Sequence, residues 1–319
     1  MKKLVPSLML LLVLLVPGCR RDQPAPAANS PARIALVVKT LNSPFFLDMK
    51  KGAEEAANTL GVKVVVQAAE REIDVEKQMQ IVENLIQTRI SALCLVPSGS
   101  KELVPVVGKA NRAGIPVIIV DTRLDEAAAK SDHVDFAAFI GSDNYEGGKI
   151  VGQYVAKLFS GPAKVVVLEG VPGHETADAR LRGFKDGIAP FDRIKIIASQ
   201  PANSERDQGF NVMQNLLQAH RDIDVVFASN DMMALGAVEA IAAAGQTGRV
   251  KVFGFDAIDE ARKEIAAQRM EGSVAQHPAD MGRLAVENAV KVLKGETIPK
   301  YIPVPIELIT REKTAEAKK

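Results

Sequence analysis

Residues 34–46 read IALVVKTLNSPFF. Ile34-Ala35-Leu36-Val37-Val38 is an unbroken apolar run, Lys39 ends it with a charge, and Pro44 opens the next segment. A run this short and continuously apolar predicts a strand buried on both faces. Proline suits the first turn of a helix, and Phe45, Met49, Ala53, Ala56 and Leu60 then recur at helical spacing as far as Gly61, a residue suited to closing a helix. A buried strand that feeds an amphipathic helix is the first half of a βαβ unit, so this stretch argues for a parallel α/β fold.

The same beat runs along the chain. Strands are predicted over residues 62–66, 92–96 and 115–120, with helices over 75–87 and 103–113 between them. After an irregular, charged stretch at 123–135, the beat resumes. Strands over 136–140, 165–168, 194–198, 225–228, 250–253 and 272–275 alternate with helices over 145–159, 177–188, 206–220, 232–244 and 258–268. Such apolar strands need helices on both faces. One eight-stranded barrel and two open doubly wound lobes both satisfy that demand. The Gly161-Pro162 turn before a fresh β-rich run favours two lobes.

The apolar runs repeatedly end on polar residues: Lys39, Asp121, Ser229-Asn230 and Asp256. In parallel α/β folds the carboxyl edge of the sheet is where ligands sit, so these residues are candidate ligand contacts. The competing reading is that Asp121, Asn230 and Asp256 cap helices, and each precedes a predicted turn or helix.

Residues 1–18 are read apart from the fold. Lys2 and Lys3 precede an apolar core from Leu8 to Val16, too short for the roughly 20 residues of a spanning helix, and the pattern is that of an export signal. Residues 19–32 are rich in Pro and Ala and read as a tether. Cys94 lies within an apolar run and is expected to be a buried small hydrophobe.

Composition narrows the function. About 285 residues after the leader suggest more than one core. A net charge of +1 with mixed signs leaves no footprint for nucleic acid, and the absence of Trp with 4% aromatic content gives no base-stacking platform. The four His are scattered, and no nucleophile elbow or phosphate-binding loop is present, so neither an enzyme nor any cofactor or metal is expected.

The 34–46 run, together with Ser142-Asp143-Asn144, Ala198-Ser199-Gln200-Pro201-Ala202, Asn211-Val212-Met213-Gln214-Asn215-Leu216-Leu217, Asn230-Asp231-Met232-Met233-Ala234-Leu235-Gly236, Gly254-Phe255-Asp256 and Val274-Ala275-Gln276, resembles the ribose- and allose-type periplasmic sugar-binding proteins of ABC transporters. The likeness spans the chain after Ala32. It implies a type I periplasmic binding protein: two flavodoxin-like lobes joined by three hinge segments, closing on a monosaccharide that is handed to an ABC permease. By position, residues 32–142 plus 277–305 would form the N-terminal lobe and 143–276 plus 306–319 the C-terminal lobe. A monomer is expected.

The resemblance implies a sugar site made of Lys39, Phe45, Phe46, Asp121, Arg180, Asn230, Asp256 and Gln276. Carboxylates and amides suit hydroxyls that both donate and accept, and a phenyl face suits a sugar's C–H surface. Lys39 follows the allose-type pattern. Gly170-Val171-Pro172-Gly173-His174, followed by Arg180, also resembles the glucose/galactose-type relatives, which adds His174. Ser43, Thr122 and Ser204 depart from the ribose-type pattern, where Asn, Arg and an aromatic residue stand. Arg123 would either reach in for the missing Arg or face solvent. Hexose, pentose, polyol and sugar acid all stay open as ligands. Leu15-Val16-Pro17-Gly18-Cys19 resembles the bacterial lipoprotein signal, implying a lipidated Cys19 and anchoring in the periplasm or at the cell surface. A related class, the sugar-responsive transcription regulator, carries a helix-turn-helix before its first strand, where this sequence has the export segment and tether. A role as sugar sensor, presenting ligand to a chemoreceptor or sensor kinase, is the alternative to transport.

Overall fold

A computed structural model describes residues 31–316. The export segment and Cys19, with most of the tether, lie outside the described residues.

In chain order the elements are β1 (Arg33–Thr40), α1 (Pro44–Leu60), β2 (Lys63–Ala69), α2 (Val75–Gln87), β3 (Ala92–Leu95), α3 (Val104–Arg112), β4 (Val117–Val120), α4 (Glu126–Ser131) and β5 (Ala138–Gly141). Next come α5 (Asn144–Leu158), β6 (Ala163–Glu169), α6 (Glu175–Ile188), β7 (Ile194–Pro201), α7 (Arg206–Ala219), β8 (Val225–Ala228), α8 (Asp231–Ala243), β9 (Lys251–Asp256), α9 (Asp259–Ala266) and β10 (Gly272–Ala275). The last elements are α10 (Pro278–Leu293), β11 (Tyr301–Pro303), β12 (Glu307–Thr310) and α11 (Arg311–Glu316).

Two sheets result, in the orders β11-β5-β4-β3-β1-β2 and β12-β10-β9-β8-β6-β7. Each contains the doubly wound order 2-1-3-4-5, whose point of reversal, between β1 and β3 and between β6 and β8, opens a crevice at the carboxyl edge. The barrel closure is thereby excluded. Ile34 to Val38 are fully buried because both faces of the first sheet are covered. On one face Phe45, Phe46, Met49 and Ala53 of α1 meet Met281, Ala285 and Val286 of α10. On the other lie Ile81, Val82 and Leu85 of α2 with Val104 and Val107 of α3. The second sheet is covered by α7, α8 and α9 on one face and by α5 and α6 on the other.

The structure departs from the sequence reading in three places. The stretch 123–135 contains the helix α4, capped by Asp125, whose side chain accepts from the Ala128 amide at 2.7 Å. β12 runs antiparallel to β10, so the second sheet is not wholly parallel. Finally, two short strands that the sequence reading left unmarked, β11 and β12, give one edge to each sheet after α10 has returned the chain to the first sheet. Sequence periodicity was too brief in those strands to mark them. Cys94 is buried and its thiol is pushed up to about 12 by burial, as its apolar surroundings require.

Candidate functional site

A polar cavity lies where the two carboxyl edges face each other, the place where ligands bind in open α/β sheets. From the first sheet's side it is lined by Lys39, Phe45, Phe46, Glu72 and Asp121; from the second, by His174, Arg180, Asn230 and Asp256. The backbone explains the convergence. Lys39 is next to last in β1, Asp121 follows β4, Asn230 comes just after β8, and Asp256 ends β9.

Asp121 sits in the left-handed region at φ 62°, a conformation that costs a non-glycine residue of order 1–3 kcal/mol. Its Oδ2 accepts from the Thr122 hydroxyl at 2.8 Å and lies 3.9 Å from Lys39 Nζ. Its Oδ1 is buried with no hydrogen-bond partner among the described residues. Lys39 is only 3% exposed and stands 3.6 Å from Glu72 Oε2. Burial raises the Glu72 carboxyl above the usual range, an effect that Lys39 opposes and Asp121 reinforces.

Arg180 is the pivot of the opposite wall. Its Nε donates to Asn144 Oδ1 at 2.8 Å and its Nη1 to the Ser229 carbonyl at 2.6 Å, while its guanidinium carbon lies 3.9 Å from the centroid of the Phe255 ring. The fork is thus fixed in plane, an arrangement lysine could not reproduce. Asp256 Oδ1 lies 3.7 Å from Arg180 Nη1 and accepts from Gln276 Nε2 at 2.8 Å. Burial pushes the Asp256 carboxyl well up, Arg180 pulls it back, and Asp231 and Asp121 add to the rise.

His174 closes the gap between the walls. Its ring is hydrogen-bonded to the Ser98 backbone, and burial, aided by nearby Lys39, lowers it to about 3, so the imidazole is neutral. One residue on, the Glu175 amide donates to Ser100 Oγ at 3.3 Å. These contacts join the second lobe to the loop after β3.

The structure separates the sequence-read candidates. Lys39, Phe45, Phe46, Asp121, His174, Arg180, Asn230 and Asp256 all line the cavity, but Gln276 does not: it stands behind Asp256 and orients it. Gln276 Oε1 is buried without a partner among the described residues. Asn230 does cap α8, accepting from the Met233 amide at 3.0 Å, and its Nδ2 donates to the Ser204 carbonyl. Asp121 and Asp256 cap no helix; the N-cap positions of α4 and α9 are Asp125 and Ile258. Phe45 and Phe46 meet edge to face at 5.2 Å and serve both the core and the cavity wall. Arg123 neither enters the cavity nor simply faces solvent: it lies over the rings of Phe139 and Tyr301, 3.9 and 4.9 Å from their centroids. Glu72 was missed. It lies in the loop after β2, three residues beyond the strand's last position, and nothing in the local pattern points it inward. Among the described residues, no group of His, Cys, Asp and Glu is arranged to hold a metal ion.

Two doubly wound sheets with facing carboxyl edges, joined by three crossings around a polar cavity, define a two-lobed solute-binding protein of the type I periplasmic architecture. Residues 34–297 match the periplasmic binding protein domain family, and the chain belongs to that family, in its ribose- and allose-type branch. It is 40% identical over 288 residues to the ribose import binding protein RbsB of Escherichia coli, covering 90% of this chain and 94% of that protein. It is 37% identical over 275 residues to the D-allose-binding periplasmic protein of the same organism, covering 86% and 88%. A solved ABC transporter periplasmic solute binding protein from Actinobacillus succinogenes, with bound D-allose, matches with a TM-score of 0.84 at 35% identity, over 89% of this chain and 99% of that one. These relatives are solute-binding proteins, not enzymes.

Proposed function

We propose that this protein captures an uncharged monosaccharide of the ribose or allose type between its lobes, outside the cytoplasm, and delivers it to an ABC importer. The observation that carries the reading is the buried Asp121 Oδ1, without a hydrogen-bond partner among the described residues, in a cavity that also holds fixed donors from the other lobe. A buried acceptor left unmade costs about 1–3 kcal/mol, and a sugar hydroxyl is the donor that removes the cost. A neutral polyhydroxyl ligand is favoured over a sugar acid because three carboxyl groups, Glu72, Asp121 and Asp256, line the cavity, and Lys39 is already shared by Glu72 and Asp121. In this reading Asp121 and Asp256 accept from hydroxyls, Lys39, Arg180 and Asn230 donate, His174 adds a neutral polar group, and Phe45 and Phe46 face the sugar's C–H surface. Kinship with the ribose import binding protein and the D-allose-binding protein supports that ligand class.

Micromolar capture needs about 8 kcal/mol, and charge-assisted hydrogen bonds contribute about 1.5–3 kcal/mol each. A handful of such bonds suffices once the cost of association is met. Because the ligand would touch both walls, it stabilises the closed form over the open one and shifts the population toward it. The lobes of this reading are residues 32–142 plus 277–305 and 143–276 plus 306–319, and the membership of β11 and β12 in opposite sheets supports the division. Residues 1–18 are the export signal, Cys19 carries a lipid, and residues 19–32 tether the domain to the membrane, a reading that rests on the sequence alone.

Calorimetry with D-ribose, D-allose, D-glucose, glycerol and a hexuronate tests this. The expected result is micromolar binding of a neutral sugar and none of the hexuronate. Binding of the hexuronate alone would refute the neutral-ligand reading, and binding of none would refute the sugar reading.

A further inference from the structure

Beneath the cavity wall lies a second polar group. Asp231, the first residue of α8, is fully buried, and its carboxylate faces away from the helix toward the turn after β9. Its Oδ1 accepts from Ser273 Oγ at 2.7 Å and its Oδ2 from the Ile258 amide at 2.9 Å. The Ser273 oxygen in turn accepts from the Ala257 amide at 2.9 Å. Both amides of the turn after Asp256 are therefore held, one directly by Asp231 and one through Ser273.

That turn needs holding. Asp256 has φ 109° and Ala257 φ 50°, left-handed values at two successive non-glycine residues, each costing of order 1–3 kcal/mol unless its surroundings impose it. The sequence makes room for the clamp. A Cβ on Gly254 would stand 2.0 Å from Asp231 Oδ1, so glycine is required there for the carboxylate to reach Ser273. The register supplies the rest: β10 pairs with β9 so that Ser273 lies opposite Gly254 and Ala275 opposite Asp256, which brings Gln276 to the Asp256 carboxylate from the far side.

We propose that Asp231 and Ser273 are positioning residues for ligand capture: they clamp the strained turn at 256–258 so that the Asp256 carboxylate is presented to the cavity beside Arg180. The inference rests on the sugar-binding reading for its functional consequence, but its structural half stands apart from it. The dipeptide Asn230-Asp231 then serves the site twice, Asn230 at the cavity wall and Asp231 behind Asp256.

The test is a double-mutant cycle on the whole chain, read by calorimetry with D-ribose and D-allose and by amide hydrogen exchange without sugar. Asp231→Asn is expected to weaken binding at least tenfold in the native background and less than twofold in an Asp256→Asn background, because it acts through Asp256. A residue that merely supported the fold would weaken both backgrounds equally, and that result overturns the proposal. Exchange at the Ala257 and Ile258 amides is expected to speed up at least tenfold in Asp231→Asn; unchanged protection also overturns it. If Asp231→Asn does not fold, Ser273→Ala, which frees only the Ala257 amide and the Asp231 Oδ1, is expected to weaken binding three- to tenfold, again only while Asp256 is present. If the native protein binds neither sugar, the functional reading fails while the exchange experiment still decides the clamp.

Discussion

Arg180 Nη1 stands 3.7 Å from Asp256 Oδ1, too far for a hydrogen bond although both side chains are nearly buried. Arg180 is held by Asn144, Ser229 and the Phe255 ring, and Asp256 by Gln276. Those partners hold the two apart, so guanidinium and carboxyl face each other across a gap that a hydroxyl, accepting from one and donating to the other, would bridge. A preorganised pair of this kind favours ligand binding over internal pairing.

Asp256→Asn separates that role from stability. Burial and the nearby Asp231 and Asp121 raise the Asp256 carboxyl, so its charged form is disfavoured in the unliganded protein. The Asn variant should unfold at the same or a higher urea concentration than the native protein, while sugar affinity falls at least a hundredfold, on the order of 3 kcal/mol. Loss of stability with affinity retained would contradict the assignment.

Lys39 is the cation shared by Glu72 and Asp121. Removing one partner of a buried ion pair costs about 3–5 kcal/mol because the remaining charge is stranded. Lys39→Met should therefore lower unfolding free energy by about that amount and abolish capture. Adding Glu72→Gln to it should restore at least half of the stability and none of the binding, as measured by urea unfolding and calorimetry on the same samples.

The range of each signal along the chain decided what was legible in sequence. The apolar runs and helical spacings marked the doubly wound beat, and the polar residue at the end of each run marked the cavity edge, because both signals are local. Lys39, Asp121 and Asp256 were readable in that way, and the resemblance to sugar-binding proteins added Arg180 and His174. Glu72 was not readable, since its inward placement depends on Lys39 across the sheet edge. Nor was the clamp: Asp231 and Ser273 are 42 positions apart, and only the pairing of β9 with β10 sets Ser273 opposite Gly254, within reach of the Ala257 amide. The antiparallel β12 escaped because four residues carry too little period to show direction.

Gly148 fixes the approach of α5 to α6, the helix that carries Arg180. A Cβ there would lie 2.0 Å from the Arg180 carbonyl oxygen, and backbone cannot yield as a flexible side chain can. Gly148→Ala should cost about 1–3 kcal/mol by overpacking and weaken sugar binding at least tenfold by displacing Arg180. Gly161→Ala, whose Cβ would meet nothing within 4 Å, is the matched control and should change neither. Equal effects of the two variants in thermal melts and calorimetry would show that the helix contact does not position the arginine.

His174 gives the site a pH dependence of defined sign. Burial and Lys39 lower it from its ordinary 6.5 to about 3. A folded value below the unfolded one means that its support is complete above pH 6.5 and is lost as pH falls toward 3. When the lobes part and the ring meets water, its value returns toward 6.5, so closing at acid pH requires a proton to leave. Each pH unit below 6.5 then opposes closure by up to about 1.4 kcal/mol. Between pH 8 and pH 4.5 the native protein should lose at least tenfold more affinity than His174→Gln, which carries no titrating group at that position. The carboxyl groups of the site are common to both proteins and cancel in the comparison. Parallel affinity profiles for the two would mean that the imidazole is not enclosed when the cleft shuts.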